Sequence, residues 1–274
     1  AHINSFGSNG EIHGLPTWGP QSGSVLDVFD IAVVPNGTPG GARLYIAGDI
    51  KLTATDYDGL IWGVDPNTGI TSPNWAWITR YYETDNNTGY KKDAITAITV
   101  LRTGAVAMAG WSENDDGERL MILTRALANG AHDPSFCGSV SGICVAPIRP
   151  LIGVADDYFP VAIAERRANR DLVVALKAKK RSADYHFVQN VYQFSADGTY
   201  IHDSQEMDYG AAAGGHPQWS RPFGMSLSNS GLLGLSGKEV IAVAGTRLWW
   251  APDYDMTLSS FYVDDSIFAD GFGG

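Results

Sequence analysis

The side chains best suited to moving protons near neutral pH are six histidines, His2, His13, His132, His186, His202 and His216, scattered with no ligand-like pair on any one strand. Taken singly, each reads as a surface or turn residue. Acidic clusters occur at Glu113-Asn114-Asp115-Asp116, Asp156-Asp157 and Asp264-Asp265, yet none has the Asp-x-Asp-x-Asp-Gly spacing of a calcium loop. They read as solvated loops. Local catalytic signatures are missing as well: there is no His-Glu-x-x-His, no Gly-x-Ser-x-Gly, no phosphate-cradling Gly-x-x-x-x-Gly-Lys-Ser/Thr, and no Gly-x-Gly-x-x-Gly after a strand-like run. Metal-dependent peptidase, α/β-hydrolase, P-loop and dinucleotide chemistry are therefore disfavoured.

Local spacing does not exclude a constellation gathered from separate strands at a central opening. The candidates for it are polar residues at or near the start of the first apolar run of each repeat: Asp27, Asp30, Asp93, Thr96, Asp157, Tyr158 and Arg221. The competing reading makes these acids turn-formers that bond their own backbone. No metal and no cofactor is the primary expectation, with an axial calcium ion held by carbonyls and these carboxylates as the secondary one. Aromatic residues offer binding chemistry instead. Trp62, Trp75 and Trp249 lie within apolar runs and are expected to pack between layers, whereas Trp111 leads into an acidic loop and Trp219 ends Gly214-Gly215-His216-Pro217-Gln218-Trp219. Trp111 and Trp219 are expected to be exposed platforms for a sugar ring or a protein side chain, with His216 beside the second.

Cys137 and Cys144 are the two cysteines, and the loop between them contains Gly138 and Gly142, flexible enough to close a disulfide. A zinc site lacks a second histidine at ligand spacing near His132, and no Cys-x-x-Cys is present. A disulfide implies an oxidising compartment. The opening Ala1-His2-Ile3, without Met or a basic and apolar leader, fits a mature secreted chain, extracellular or periplasmic; a trimmed start is the alternative. With 19 Lys+Arg against 30 Asp+Glu and a net charge of -11, the chain lacks the positive field that nucleic acid and anionic membrane surfaces require. Lys177 to Arg181 is the one strongly cationic stretch, expected in a hairpin turn. No apolar run approaches the roughly 18 residues of a membrane span, so membrane insertion is not expected.

Internal repeats identify the elements that position these residues. A strand-like run ending in Ala-Gly recurs as Leu44-Tyr45-Ile46-Ala47-Gly48, Val106-Ala107-Met108-Ala109-Gly110 and Val240-Ile241-Ala242-Val243-Ala244-Gly245; Leu172-Val173-Val174-Ala175-Leu176 is a copy without the Gly. One apolar run precedes each (Val28 to Val34, Ala94 to Leu101, Val161 to Ala164, Phe223 to Leu227). Another follows (Gly59 to Val64, Leu120 to Leu123, Phe187 to Phe194, Leu248 to Trp250). A turn and a fourth segment close each unit, with Phe6, Trp75, Phe136 and Phe261 at equivalent places separated by roughly sixty residues or twice that. Each unit reads as four short strands separated by Gly, Asn, Asp and Pro turns, without sustained helical periodicity. The fold class is all-β. Four-stranded units arrayed about an axis bury both faces of every sheet, which accounts for apolar runs without strict alternation. The expected architecture is a small β-propeller of four blades, each of four antiparallel strands; five blades are the alternative if Tyr209 to Ser220 holds an extra hairpin.

The succession of apolar strand, Ala-Gly, apolar strand, Asn/Asp-Gly and Asp-Pro-Ser-Phe, best displayed by residues 94–145, resembles the delta-sixty repeat of exported bacterial β-propellers. The other copies are degenerate: Trp75 replaces the Phe, the third unit has no aromatic there, and the last lacks the Asn/Asp-Gly turn. The resemblance implies a fold and no particular reaction. It is consistent with one domain over 1–274, with units 15–80, 81–145, 146–210 and 211–263 and with residues 1–14 completing the last blade. Residues 264–274 look like the short acidic-aromatic tail of exported bacterial proteins. The functional expectation is a secreted module that binds a glycan or a protein through loops on one face. The alternative is a secreted hydrolase or lyase with a carboxylate and histidine site at the channel mouth.

Overall fold

In the computed structural model the described residues are 26–35, 37, 41–51, 57–69, 71–79, 92–114, 117–138, 142–145, 155–180, 187–203, 219–229, 239–250 and 253–263. They form an all-β fold of antiparallel meanders in sheets of four, eight and three strands, the eight-stranded sheet containing one parallel pairing, Arg119 with Asp157. The chain divides into two compact units, one of residues 1–148, 157–160 and 197–199, the other of 149–156, 161–196 and 200–274. Residues 1–14 and 264–274, and residues 209–218 of the stretch that would hold a fifth blade's extra hairpin, lie outside the described residues.

In the first unit β1 (Leu26–Val34), β2 (Arg43–Lys51), β3 (Tyr57–Val64) and β4 (Thr71–Thr79) form one sheet in chain order. The next meander is β5 (Asp93–Val100), β6 (Val106–Glu113) and β7 (Arg119–Ala126), with the short β8 (Ile143–Val145) antiparallel to β7. In the second unit β9 (Ala155–Glu165, its residues 157–160 grouped with the first unit), β10 (Leu172–Lys180), β11 (Phe187–Phe194) and β12 (Tyr200–Asp203) pair in chain order. The last meander is β13 (Trp219–Asn229), β14 (Glu239–Trp250) and β15 (Asp253–Val263).

These meanders follow the four repeats, with three corrections. Leu248 to Trp250 is not a third strand: the polar pair Thr246-Arg247 does not interrupt pairing, β14 continues through it, and β15 supplies the third strand. In the second meander the Asp-Pro-Ser-Phe segment is a turn, with Phe136–Gly138 in a 3-10 helix and the edge strand beginning only at Ile143. Lys177 to Lys180 belong to β10 rather than to a hairpin turn.

The recurrent Ala-Gly has a backbone cause. β1 carries a bulge between Val28 and Asp30 opposite Gly48, β5 one between Ile95 and Ala97 opposite Gly110, and β13 one between Pro222 and Gly224 opposite Gly245. Each bulge turns the first strand toward the second. A Cβ at Gly48 would overlap the Asp27 carbonyl, and a Cβ at Gly110 that of Ala94. Burial on both sheet faces accounts for the unbroken apolar runs, since seven of the eight positions in β3 and in β6 are buried. Between the two meanders of the first unit lie Ala32, Val34, Tyr45, Ala47 and Ile61 against Ile95, Ile98, Val106, Met108 and Ile122. Each large aliphatic side chain there contributes about 1.5–3 kcal/mol. In the second unit Val173, Ala175 and Val191 pack with Ile241 and Val243.

Candidate ligand-binding end of the first unit

The two ends of the strands differ. At one end short turns close on themselves: Asp65 Oδ1 accepts the amides of Asn67 (2.7 Å) and Thr68 (3.3 Å), Asn129 Oδ1 that of Ala131 (3.0 Å), and Asp197 Oδ1 that of Thr199 (3.1 Å). These side chains stand in for missing backbone partners. The Asp-Pro-Ser-Phe signature is of this kind. Asp133 accepts from Ser135 N–H (3.0 Å), Ser135 Oγ (2.6 Å) and both Nε (2.9 Å) and Nη2 (2.6 Å) of Arg125, whose guanidinium lies over the buried Phe136 ring. Burial opposes ionisation of Asp133, and the donors from Ser135 and Arg125 outweigh it, holding the carboxyl below the ordinary range. Neighbouring His132 meets Thr124 Oγ1 at 3.1 Å, and burial holds its imidazole below the ordinary value. The Cys137–Cys144 disulfide is formed there, with Cα atoms 5.7 Å apart.

At the opposite end the first unit gathers the starts of β1, β3, β5 and β7, the ends of β2 and β6, and residues 157–160. Register makes this a direct consequence of the meanders: Asp27 pairs with Asp49, Lys51 with Tyr57, Asp93 with Ser112, and Glu113 with Arg119. Tyr57 bridges to Lys92, and Arg119 pairs with Asp157. Asp49 is buried, and its Oδ1 has no hydrogen-bond partner among the described residues. Burial, and then the charge of Asp27 across the strand pair, push its carboxyl up to about 6. Ser112 is fully buried, and its Oγ has no partner among the described residues. The Tyr57 ring lies beneath two ammonium groups, those of Lys51 at 5.5 Å and Lys92 at 5.7 Å. The Arg119 guanidinium lies over Trp111 (4.4 Å) and Phe159 (4.8 Å), whose rings meet edge to face at 6.3 Å.

The residues singled out from sequence are distributed as follows. Asp93, Asp157 and Tyr158 all belong to this end; Asp93 and Tyr158 are buried, and Asp157 Oδ1 accepts the Arg119 amide at 3.2 Å. Asp30 sits just past the β1 bulge and serves the fold, its two oxygens accepting the amides of Ile31 (2.8 Å) and Ile98 (2.9 Å). Thr96 occupies the β5 bulge and donates to the Pro160 carbonyl at 2.7 Å. Trp111 is not the exposed platform expected of it. The residue is 8% exposed, with Arg119 and Phe159 packed on its ring. Trp219 and Arg221 begin β13 in the second unit, their side chains outside the described residues, as is His216 altogether. Asp49, Ser112, Arg119 and Phe159 escaped the sequence reading. An acid inside the apolar run Ala47-Gly48-Asp49-Ile50 was the available signal for the first of them.

Among the described residues no group of three or more His, Cys, Asp or Glu is placed to hold a metal ion, and no helix is long and apolar enough to cross a membrane. Comparison with known proteins returns neither a matching family model nor a significantly similar curated protein.

Proposed function

We propose that the protein is a secreted binding module, a small four-bladed β-propeller that recognises a glycan or protein ligand at the strand end where β1, β3, β5 and β7 begin. Three observations support the architecture: four successive antiparallel meanders, burial on both faces of β3 and β6, and the repeated bulge opposite Ala-Gly. The disulfide and the acidic composition favour an extracellular setting. One observation carries the function. Short turns at the far end are closed by side chains bonded to their own backbone, while this end gathers a convergent set of acids, cations and rings that includes the buried Asp49 and Ser112. A glycan and peptide array probed with the purified chain, followed by thermal shift on the hits, tests this reading. Saturable binding without product formation supports it; no ligand on either array and no shift overturns it.

The Asp27–Asp49 pair favours a second reading, a hydrolase or lyase. A buried carboxyl pushed up to about 6, across the strand pair from a second acid, is suited to donating a proton near neutral pH. Turnover of an array hit, abolished in Asp49→Asn with binding intact, would select this reading over the first.

A further inference from the structure

We propose that Arg119 anchors the carboxylate of a uronic-acid sugar flanked by neutral sugars, a proposal that rests on the binding-module reading and names its ligand class. The guanidinium is held in place before any ligand arrives. Its central carbon lies 4.4 Å from the Trp111 ring and 4.8 Å from the Phe159 ring, and the Arg119 amide donates to Asp157. The β6–β7 hairpin that precedes it is closed by Asn114 and Glu118: Asn114 Nδ2 donates to Glu118 Oε2 and the Glu118 amide to Asn114 Oδ1, both at 2.8 Å. Little side-chain freedom remains to be lost on binding.

Among the described residues, no acceptor meets the edge of the guanidinium. The guanidinium groups of Arg125 and Arg166 each meet carboxylates within ion-pair distance, whereas that of Arg119 has ring contacts and, among the described residues, no carboxylate within that distance, its backbone amide being the group that meets Asp157. An arginine left in this state in a chain of net charge -11 presents a planar fork of N–H donors that matches a carboxylate in two parallel hydrogen bonds. The surrounding groups narrow the class further. Glu113 stands directly across the strand pair and Asp157 directly alongside, so a second negative charge is repelled while hydroxyl donors are welcomed. One carboxylate among many hydroxyls describes a uronate within a neutral oligosaccharide better than it describes a polyanion. The ring of Trp111 then acts by fixing the fork, not by stacking the sugar.

The test is isothermal titration of the full chain with millimolar D-glucuronic acid, with its uncharged methyl ester, and with an acetylated dipeptide bearing a free C-terminal carboxylate. Glucuronate is expected to bind, the ester at least about tenfold more weakly, and the dipeptide not measurably. Arg119→Lys, which keeps the charge and loses the fork, is expected to weaken glucuronate binding about tenfold, and Arg119→Met to abolish it. Circular dichroism confirms that each variant is folded, and Arg119→Lys alone suffices should Arg119→Met not fold. Equal binding of acid and ester, undiminished binding by Arg119→Lys, or preference for the dipeptide each overturns the proposal. Neutral glycans held equally by wild type and both variants would overturn the carboxylate anchor and leave the binding module standing, whereas absence of all ligand binding overturns both.

Discussion

Asp30 on β1 accepts the backbone amide of Ile98 on β5, 2.9 Å away, and so ties the first sheet of the first unit to the second at the margin of their shared apolar core. Its other oxygen accepts Ile31 N–H. Asp30→Ala leaves both amides without a protein acceptor and is expected to cost about 1–3 kcal/mol, while Asp30→Asn keeps one acceptor and costs roughly half as much. Urea unfolding of the three proteins, compared at equal m-values, checks the order.

The bulge and the glycine facing it form one device. Gly110→Ala places a methyl group on the Ala94 carbonyl, and backbone rather than a flexible side chain must give way. A loss of about 2 kcal/mol or more is expected. Gly224 lies within the β13 bulge, with open space around the position its Cβ would take, so Gly224→Ala is expected to fall within about 0.5 kcal/mol of wild type. Thermal unfolding of the two variants separates crowding from a general intolerance of side chains at repeat glycines.

Much of this was legible in sequence because it is local and repeated. Gly48 and Gly110 announced themselves by recurrence, and Asp133-Pro134-Ser135-Phe136 by composition, since a turn that bonds its own backbone leaves its pattern in consecutive residues. Strand three of the last meander was not legible, because Val240 to Trp250 is apolar enough for Thr246 and Arg247 to pass inside one strand. The stacking of Arg119 on Trp111 and Phe159 was hidden for a different reason. Trp111 meets Arg119 across a hairpin, but Phe159 arrives from a later strand, and no spacing rule connects them. The same non-local contact turned an apparently exposed tryptophan into a buried one.

In the second unit a single buried guanidinium stands between two acids. Arg166 Nε donates to Glu239 Oε2 at 3.1 Å and Nη1 lies 3.6 Å from Asp171 Oδ2, which also accepts from Asn169 Nδ2 and Gln193 Nε2, both at 2.6 Å. Glu239 Oε1 accepts the Arg167 amide at 2.9 Å. Glu239→Ala removes a desolvated charge partner and an acceptor together, for an expected loss of about 3–5 kcal/mol. The double variant Arg166→Met with Glu239→Leu removes both charges and is expected to recover a good part of that loss, a non-additivity that a double-mutant cycle in urea would measure.

Asp49 gives the protein a specific pH dependence. Burial, reinforced by the Asp27 charge, raises its folded-state pKa to about 6, above the value of about 4 for an unfolded aspartate. Between those values the folded state binds more protons than the unfolded one, so this carboxyl's contribution is complete below about pH 4 and falls away as pH rises through about 6. Asp49→Asn removes the titration while keeping the shape. Relative to wild type it is therefore expected to gain stability, on the order of 2 kcal/mol, from pH 4 to pH 7. Asp27→Asn removes the like charge and is expected to move the Asp49 pKa downward without restoring it fully, because burial is the larger cause. Carboxyl carbon NMR titration of Asp49 in wild type and Asp27→Asn reads that shift directly. A difference in stability between wild type and Asp49→Asn that is flat from pH 4 to pH 7 would show that the carboxyl is solvated in the folded protein.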